Sequence, residues 1–235
     1  DLARVRAFYE KVVGLAVLAS DGEAASLGAG GGVLLELRRD AAARQAGPGE
    51  AGLFHTAFLL PTRGDLARWV DHAARAEVAL QGASDHLVSE ALYLADPEGN
   101  GVEIYVDRPA SAWTWRDGSV TMATERLDFG GLMPEAAGRA WSHAPEGTIV
   151  GHVHLQVGAL KPAEAFLVEA LGFDVTCRYP GATFYSTGGY HHHLATNIWN
   201  SRGAGARDLP ATGLAAVELR AAPEAFARLA RSRPD

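Results

Sequence analysis

The clearest alternation of hydrophobic and polar positions lies in residues 101–106, where three aliphatic side chains alternate with Glu103 and Tyr105. This period of two is typical of a β-strand, and it places the aliphatic set and the Glu103 set on opposite faces. Burying a carboxylate in such a strand costs on the order of several kcal/mol unless a cation or a hydrogen-bond donor meets it. Glu103 therefore either faces solvent or binds something.

The residues before this strand predict a complete structural unit, which we name module 2. An apolar strand is expected at about 53–60, and a helix at about 64–77 follows it. Two further strands are predicted near 88–95 and 101–106. A turn rich in proline and glycine, residues 96–101, separates them. The order of elements is thus strand, helix and then several strands.

The chain repeats itself at one common offset. The matching landmarks are an aromatic residue, a glycine and a double glycine: Phe8 with Phe166, Gly14 with Gly172, and residues 30–31 with 188–189. A weaker match relates residues 52–68 to 213–227, where a strand is expected to open at Gly213. The repeats predict four modules, in which module 3 resembles module 1 and module 4 resembles module 2. The expected fold class is α+β, with four βαβββ modules paired into two curled mixed-sheet cup domains.

The repeat also predicts a domain division. Modules 1 and 2 fill an N-terminal domain at 1–108, which includes Glu103 and is expected to hold the metal site argued for below, and modules 3 and 4 fill a C-terminal domain at 148–235. The tryptophan-containing segment 109–147 connects them and is expected to pack on both. The chain begins at the helix of module 1 and stops after the helix of module 4, near residues 233–235. We therefore expect a fragment of a longer protein, which lacks the first strand of module 1 and the closing strands of module 4.

Composition excludes several classes of protein. The net charge of −7 at pH 7 is dispersed and includes no basic stripe, which argues against a nucleic-acid partner. A single cysteine, Cys177, excludes an internal disulfide and suggests a reducing compartment. No apolar run approaches about 20 residues, so no membrane span is expected. These features predict a soluble cytoplasmic protein and leave its number of subunits open, a homo-oligomer included.

His55 and Glu103 form the leading pair of candidate ligands, because they occupy the first and last strands of one module. Taken singly, a strand histidine is more often a hydrogen-bonded core residue, and a strand glutamate usually faces solvent. Two histidines and one carboxylate, with open positions opposite, suit a non-haem Fe(II) site. The counterpart of His154 in module 1 falls N-terminal to Asp1, so the third ligand is expected outside this sequence.

His86 and Tyr93 are the candidate catalytic residues: Tyr93 precedes Glu103 by ten residues, so a tight turn could bring these two into one cup, and His86 lies shortly before Tyr93. A phenol can hydrogen-bond an oxygen atom, and a histidine can transfer protons near neutral pH. The alternative is a histidine in a surface loop and a tyrosine in the core.

The run at residues 191–193 contains three consecutive histidines. Together with His152 or His154 it could line a second site in the C-terminal half. However, module 4 has Ala216 where module 2 has His55. A structural or pocket-lining role is therefore favoured over a second metal site.

Three segments together resemble the vicinal oxygen chelate superfamily of glyoxalases, bleomycin-resistance proteins and extradiol dioxygenases, and within it the catechol 2,3-dioxygenase-like group. They are residues 52–55 (GLFH), 84–105 (SDHLVSEALYLADPEGNGVEIY) and 188–193 (GGYHHH). The resemblance implies that His55 and Glu103 are two of three metal ligands. It further implies that Tyr93 helps bind substrate and oxygen, and that His86 is a substrate or proton-transfer histidine. Well-known two-domain members hold iron in the C-terminal half, whereas these ligands favour the N-terminal half.

The resemblance implies an Fe(II)-dependent extradiol ring-cleaving dioxygenase. Its partners would be a small aromatic diol of the catechol type and O2, and its product a ring-opened semialdehyde. Mn(II), Zn(II) and Ni(II) are the alternative metals. Two other functions stay open: a metal-dependent glyoxalase-like isomerase or lyase, and a non-enzymatic protein that binds aromatic ligands, as drug-resistance proteins do.

Overall fold

The N-terminal part of the chain forms one helix and a small sheet of its own in the computed structural model, which describes residues 1–231. Helix α1 (Leu2–Phe8) is capped by the side chain of Asp1 and continues as a single π-helical turn at Tyr9–Val13. Three antiparallel strands follow with the second in the middle: β1 (Ala16–Ser20), β2 (Ala24–Ala29) and β3 (Gly32–Arg38).

The rest of the described residues, up to 231, form one large sheet, a short hairpin and four helices. The next elements are β4 (Gly52–Leu59), α2 (Arg63–Arg75), β5 (Gly82–Asp85), β6 (Ser89–Ala95), β7 (Gly101–Asp107), β8 (Trp115–Arg116), β9 (Ser119–Val120) and α3 (Phe129–Leu132). They are followed by β10 (Ile149–Gln156), α4 (Leu160–Ala165), β11 (Asp174–Tyr179), β12 (Ala182–Ser186), β13 (Leu194–Asn197) and α5 (Pro223–Arg231). Short 3-10 turns lie at Ala110–Ala112 and Met133–Ala136, and α4 runs into a π-helical turn at Phe166–Ala170.

Eight strands form a single mixed sheet in the order β11-β12-β13-β10-β4-β7-β6-β5. At its centre β10 pairs antiparallel with β4, and β4 pairs parallel with β7. The sheet thus joins strands of module 2 with strands of module 3. These two groups lie on opposite sides of the predicted linker, residues 109–147, in the sequence. The α+β class with a curled mixed sheet is confirmed, whereas the division at 1–108 and 148–235 stays a prediction.

The two faces of β7 separate the core from the candidate site, as the alternation predicts. Val102, Ile104 and Val106 are buried in the main hydrophobic core. Glu103 and Tyr105 point to the other face, where the Tyr105 ring packs with small apolar side chains of β4 and β6. The polar side chains of β7 therefore lie on the face away from the main core.

Helix α2 covers the core face of this sheet. Thr62 caps its first turn by accepting a hydrogen bond from the backbone N–H of Asp65, as N-cap residues do. Its buried stripe includes Leu66 and Trp69, and the Trp69 indole donates to the carbonyl of Val12 at 2.9 Å. The predicted helix at 64–77 is confirmed, and this contact ties it to the N-terminal helical segment.

The connecting segment packs on both parts of the chain, as expected. Trp141 packs against the main core, while the centre of the Trp113 ring lies 5.7 Å from that of Tyr190 and 5.1 Å from that of His191.

None of the helices within residues 1–231 combines the length and apolar character needed to cross a membrane.

One predicted element is wrong. The strand expected to open at Gly213 is absent, since residues 212–222 form no ladder. The carbonyl of Leu214 instead accepts a hydrogen bond from the Arg207 guanidinium at 2.6 Å, so that a side chain satisfies the backbone there. The predicted end of module 4 at 233–235 lies outside the described residues.

Candidate metal centre

Three buried side chains from adjacent strands converge on one point. Nε2 of His55 lies 2.9 Å from Oε2 of Glu103, and Nε2 of His152 lies 3.1 Å from the same oxygen. The two Nε2 atoms are 3.3 Å apart. Because β4 lies between β7 and β10, each strand contributes one side chain to this triangle. Within the described chain, these residues are the one group of three or more potential metal-binding side chains at such short range.

Two glycines allow the strands to approach closely enough. A Cβ atom at Gly101, which pairs with His55, would lie 2.0 Å from the carbonyl oxygen of Phe54. A Cβ atom at Gly151 would lie 1.9 Å from the hydroxyl of Tyr105. Both distances are far inside van der Waals contact. Glycine at these positions therefore brings the backbones of β4, β7 and β10 together at the candidate site.

The electrostatics of the cluster follow from its burial. Burial by itself raises the pKa of Glu103, but His152 and His55 outweigh this effect and hold that pKa well below its usual range. Burial lowers the pKa of His152 despite the nearby carboxylate. The favoured state is an ionised carboxylate facing a neutral His152 imidazole, which is the protonation state that a metal ligand requires.

The donor set fits a divalent metal better than a hydrogen-bonded cluster. If both imidazoles carry a proton on Nε2, each donates to Glu103, and two N–H groups then oppose each other across 3.3 Å. A cation accepts all three lone pairs at once. Ligands at right angles with bonds of about 2.1 Å lie about 3.0 Å apart, close to the separations of 2.9, 3.1 and 3.3 Å.

The position of the third group corrects two expectations. The third ligand was expected N-terminal to Asp1, and the site was expected to belong to the N-terminal half. The structure places His152 of β10 there, so both halves of the chain contribute. The sequence had named His152 only as a candidate for a second site. The missing information was the pairing of β10 with β4, which no local pattern specifies.

His86 and Tyr93 lie beside the cluster and contact each other. Tyr93 pairs with Glu103 across β6 and β7, and its hydroxyl lies 2.6 Å from Nε2 of His86. Nδ1 of His86 donates to the carbonyl of Ala123 at 2.6 Å, so Nε2 carries the lone pair and accepts a hydrogen bond from the Tyr93 hydroxyl. Burial and the nearby Glu103 raise the pKa of Tyr93 well above its usual value. The structure thus joins the two candidate catalytic residues by a hydrogen bond.

Three further histidines, His154, His191 and His192, lie near the cluster and form hydrogen bonds of their own. Nε2 of His154 accepts from the Asn197 amide at 3.0 Å, and Nε2 of His191 donates to Asp107 at 2.8 Å. The His192 ring packs 4.1 Å from that of His152. Burial lowers the pKa values of both His154 and His192 well below their usual range. These contacts agree with the favoured structural or pocket-lining role.

Sequence comparisons agree with this picture. Residues 1–104 match the family model of the Glyoxalase/Bleomycin resistance protein/Dioxygenase superfamily. The chain is 42% identical over 223 residues to a catechol-2,3-dioxygenase of Bacillus subtilis strain 168, a match that covers 91% of this chain and 76% of that protein. A shorter match, 37% identical over 60 residues, covers 26% of the chain and 32% of a biphenyl-2,3-diol 1,2-dioxygenase from Rhodococcus globerulus.

Solved structures show the same fold. A protein from Bacillus subtilis subsp. subtilis strain 168 superposes with a TM-score of 0.55 at 16% identity, covering 86% of this chain. The chain spans 64% of that protein's own length. A mutant of glyoxalase I from Zea mays gives a TM-score of 0.50 at 16% identity, covering 86% of this chain and 66% of that one. The chain belongs to the Glyoxalase/Bleomycin resistance protein/Dioxygenase superfamily, and its likeness to a catechol-2,3-dioxygenase supports a metal-dependent dioxygenase activity.

Proposed function

We propose that the protein is an Fe(II)-dependent extradiol dioxygenase that opens the ring of a catechol-type substrate. The observation that carries the proposal is the triangle of His55, Glu103 and His152. Its two imidazoles and one carboxylate converge so that they could bind one side of a single metal ion. This donor set is typical of non-haem iron sites that leave positions open for substrate and oxygen. The likeness to a catechol-2,3-dioxygenase supports the same reaction class.

The overall reaction balances without a further reductant. One O2 adds to one catechol, and both oxygen atoms enter the product. The ring bond between a hydroxylated carbon and its unhydroxylated neighbour breaks, which gives a semialdehyde. Bound iron supplies the one-electron chemistry that allows O2 to react with an organic substrate.

The side chains of the site would bind the metal, accept a proton from the substrate and donate a hydrogen bond. We assign the three ligand roles to His55, Glu103 and His152. Nε2 of His86 accepts a proton from a substrate hydroxyl, because its Nδ1 proton is engaged by Ala123. When a substrate hydroxyl takes the place of Tyr93 at this nitrogen, the Tyr93 hydroxyl, which lies beside Glu103 in the sheet, is released to donate a hydrogen bond to oxygen at the reacting centre.

The deciding experiment measures oxygen uptake by the protein loaded anaerobically with Fe(II), on addition of catechol. The expected result is uptake equal to the substrate consumed, together with a yellow ring-opened product. Glu103→Gln should abolish both, whereas the matched change of an exposed strand glutamate, Glu36→Gln, should leave both intact. Metal analysis of the protein as isolated distinguishes iron from Mn(II), Zn(II) and Ni(II).

Iron binding without oxygen uptake would contradict the dioxygenase assignment and favour a glyoxalase-like isomerase or lyase. Failure to bind any metal would favour a protein that sequesters aromatic ligands. The cytoplasmic location and the number of subunits stay predictions.

A further inference from the structure

His152 lacks the support that usually orients a metal-binding histidine. Such a ligand normally donates its second ring N–H to a carboxylate, a carbonyl or water. Nδ1 of His152 is buried and has no hydrogen-bond partner within the described residues. Apart from the contacts of its Nε2 atom with Glu103 and His55, the imidazole is therefore oriented by the rings that pack on it. The nearest are His192, with ring centres 4.1 Å apart, and Tyr105, at 4.9 Å.

The Tyr105 ring is held through its hydroxyl. This group lies 2.9 Å from the hydroxyl of Tyr190, which in turn donates to Oδ2 of Asp107 at 2.9 Å. Because Tyr190 donates to the carboxylate, it accepts from Tyr105. The chain of hydrogen bonds thus runs from Tyr105 through Tyr190 to Asp107.

The His192 ring is held through its neighbour. Nδ1 of His192 lies 2.7 Å from Nδ1 of His191, and Nε2 of His191 donates to Oδ1 of Asp107 at 2.8 Å. His191 is fully buried, and the hydroxyl of Thr176 donates to its carbonyl at 2.6 Å. This second chain of hydrogen bonds therefore also ends at Asp107, on the other carboxylate oxygen.

We propose that Asp107 is a positioning residue for the candidate metal centre: its two oxygens anchor the two rings that orient His152. The inference rests on the proposed function, since it concerns the geometry of the same site. Asp107 ends the strand that carries Glu103, while the residues it binds belong to the segment between β12 and β13. One carboxylate thereby aligns a ligand of one half of the chain with a ligand of the other.

Asp107 acts in this account through its acceptor atoms and not by touching the metal. Removing them should leave the rings of Tyr105 and His192 in the core but free to reorient, and His152 with them. Outer partners of metal ligands typically change metal affinity by about 10–100-fold. We expect Asp107→Ala to weaken Co(II) binding by about 10-fold or more and to change the visible absorption of bound Co(II).

The conservative variant separates positioning from charge. In Asp107→Asn the side-chain carbonyl still accepts from His191, and the amide donates to the Tyr190 hydroxyl, which can reverse its direction. Both links survive, so Co(II) affinity and spectrum should stay close to those of the unchanged protein. Asp174→Ala, which removes an exposed aspartate from β11 of the same sheet, is the matched control.

The test titrates Co(II) alone into the metal-free full chain, with thermal unfolding measured in parallel. Weaker binding by Asp107→Ala, with a melting temperature near that of the control and recovery in Asp107→Asn, supports the inference. Equal affinity in all variants overturns it and leaves the proposed function standing. If Asp107→Ala does not fold, Tyr190→Phe decides, since it cuts one link only: reduced affinity supports the inference, and unchanged affinity overturns it. If the unchanged protein binds no Co(II), the proposed function itself fails and this inference fails with it.

Discussion

His55 lies directly opposite His154 in the ladder between β4 and β10, yet its Nε2 atom meets that of His152, at 3.3 Å. The ladder is irregular on either side of this pair, and both β10 histidines point to the same face. Asn197 holds the Nε2 atom of His154, which leaves His152 as the one that faces Glu103. Side-chain hydrogen bonding, and not strand register alone, therefore selects the third group.

The first prediction tests this selection. His152→Ala removes one of three metal-binding side chains. It should reduce Fe(II) affinity by more than about 100-fold, the largest loss typical when a residue that only hydrogen-bonds a ligand is removed. His154→Ala, on the same strand and face, should retain most of the affinity. Anaerobic titration of Fe(II) against a competing chelator measures both. The reverse order of effects would exchange the roles of the two histidines.

The second prediction concerns the glycine beside His152. Gly151→Ala forces a methyl group against the Tyr105 hydroxyl and should destabilise the protein by about 1–3 kcal/mol, as overpacking does. It should also lower metal occupancy, because β10 must shift. Gly205→Ala, where the added Cβ meets nothing within 4 Å, is the control. Equal urea midpoints for the two variants would show that β10 and β7 do not need this close approach.

The third prediction concerns proton transfer. His86→Ala should lower turnover by about 100-fold or more, the scale of general acid–base catalysis, without emptying the iron site. Steady-state oxygen uptake and iron content measured on the same samples give both quantities. His72→Ala serves as the control, since this histidine lies on helix α2, where its Nε2 atom hydrogen-bonds the carbonyl of Lys11. Unchanged turnover in His86→Ala would remove His86 from the mechanism.

The fourth prediction concerns the ion pair between Arg63 and the buried Glu90. Glu90 is buried and accepts two hydrogen bonds from Arg63, at 2.5 and 3.0 Å, while Arg108 lies farther away at 3.3 Å. Arg63→Ala should cost about 3 kcal/mol, because it leaves a buried carboxylate poorly paired. Arg75→Ala breaks an exposed pair with Asp71 and should cost about 0.5 kcal/mol or less. Similar unfolding free energies in urea for both variants would contradict this account.

The fifth prediction concerns Cys177. Burial raises the pKa of its thiol, because the thiolate is the form that loses solvation. The thiolate is the reactive form, so alkylation of the folded protein should be slow at neutral pH and should keep rising above the ordinary thiol pKa of about 8.5. Mass spectrometry of iodoacetamide-treated samples from pH 7 to 10 gives the profile, with denatured protein as the reference. Identical folded and denatured profiles would show that the thiol is open to solvent.

The sequence by itself determined the local structure around half of the site. The alternation about Glu103 specified which face carries the carboxylate and Tyr105, because side chains of a strand alternate at a fixed period. Residues 52–107 also yielded the correct order of strand, helix and strands, and the closeness of Tyr93 to Glu103. These features depend on a few neighbouring residues and on the turn between β6 and β7, so they can be read from the chain.

Only the tertiary structure decided which distant strands pair. The partner of β4 is β10, and this pairing brings His152 to His55 and Glu103. Strand pairing across many residues depends on the competition among all available edges, which periodicity does not express. For the same reason the sequence predicted a strand at Gly213 where the backbone bonds to Arg207 instead. It also gave no sign that Asp107 gathers Tyr190 and His191, since hydrogen bonds between remote side chains exist only once the sheet has formed.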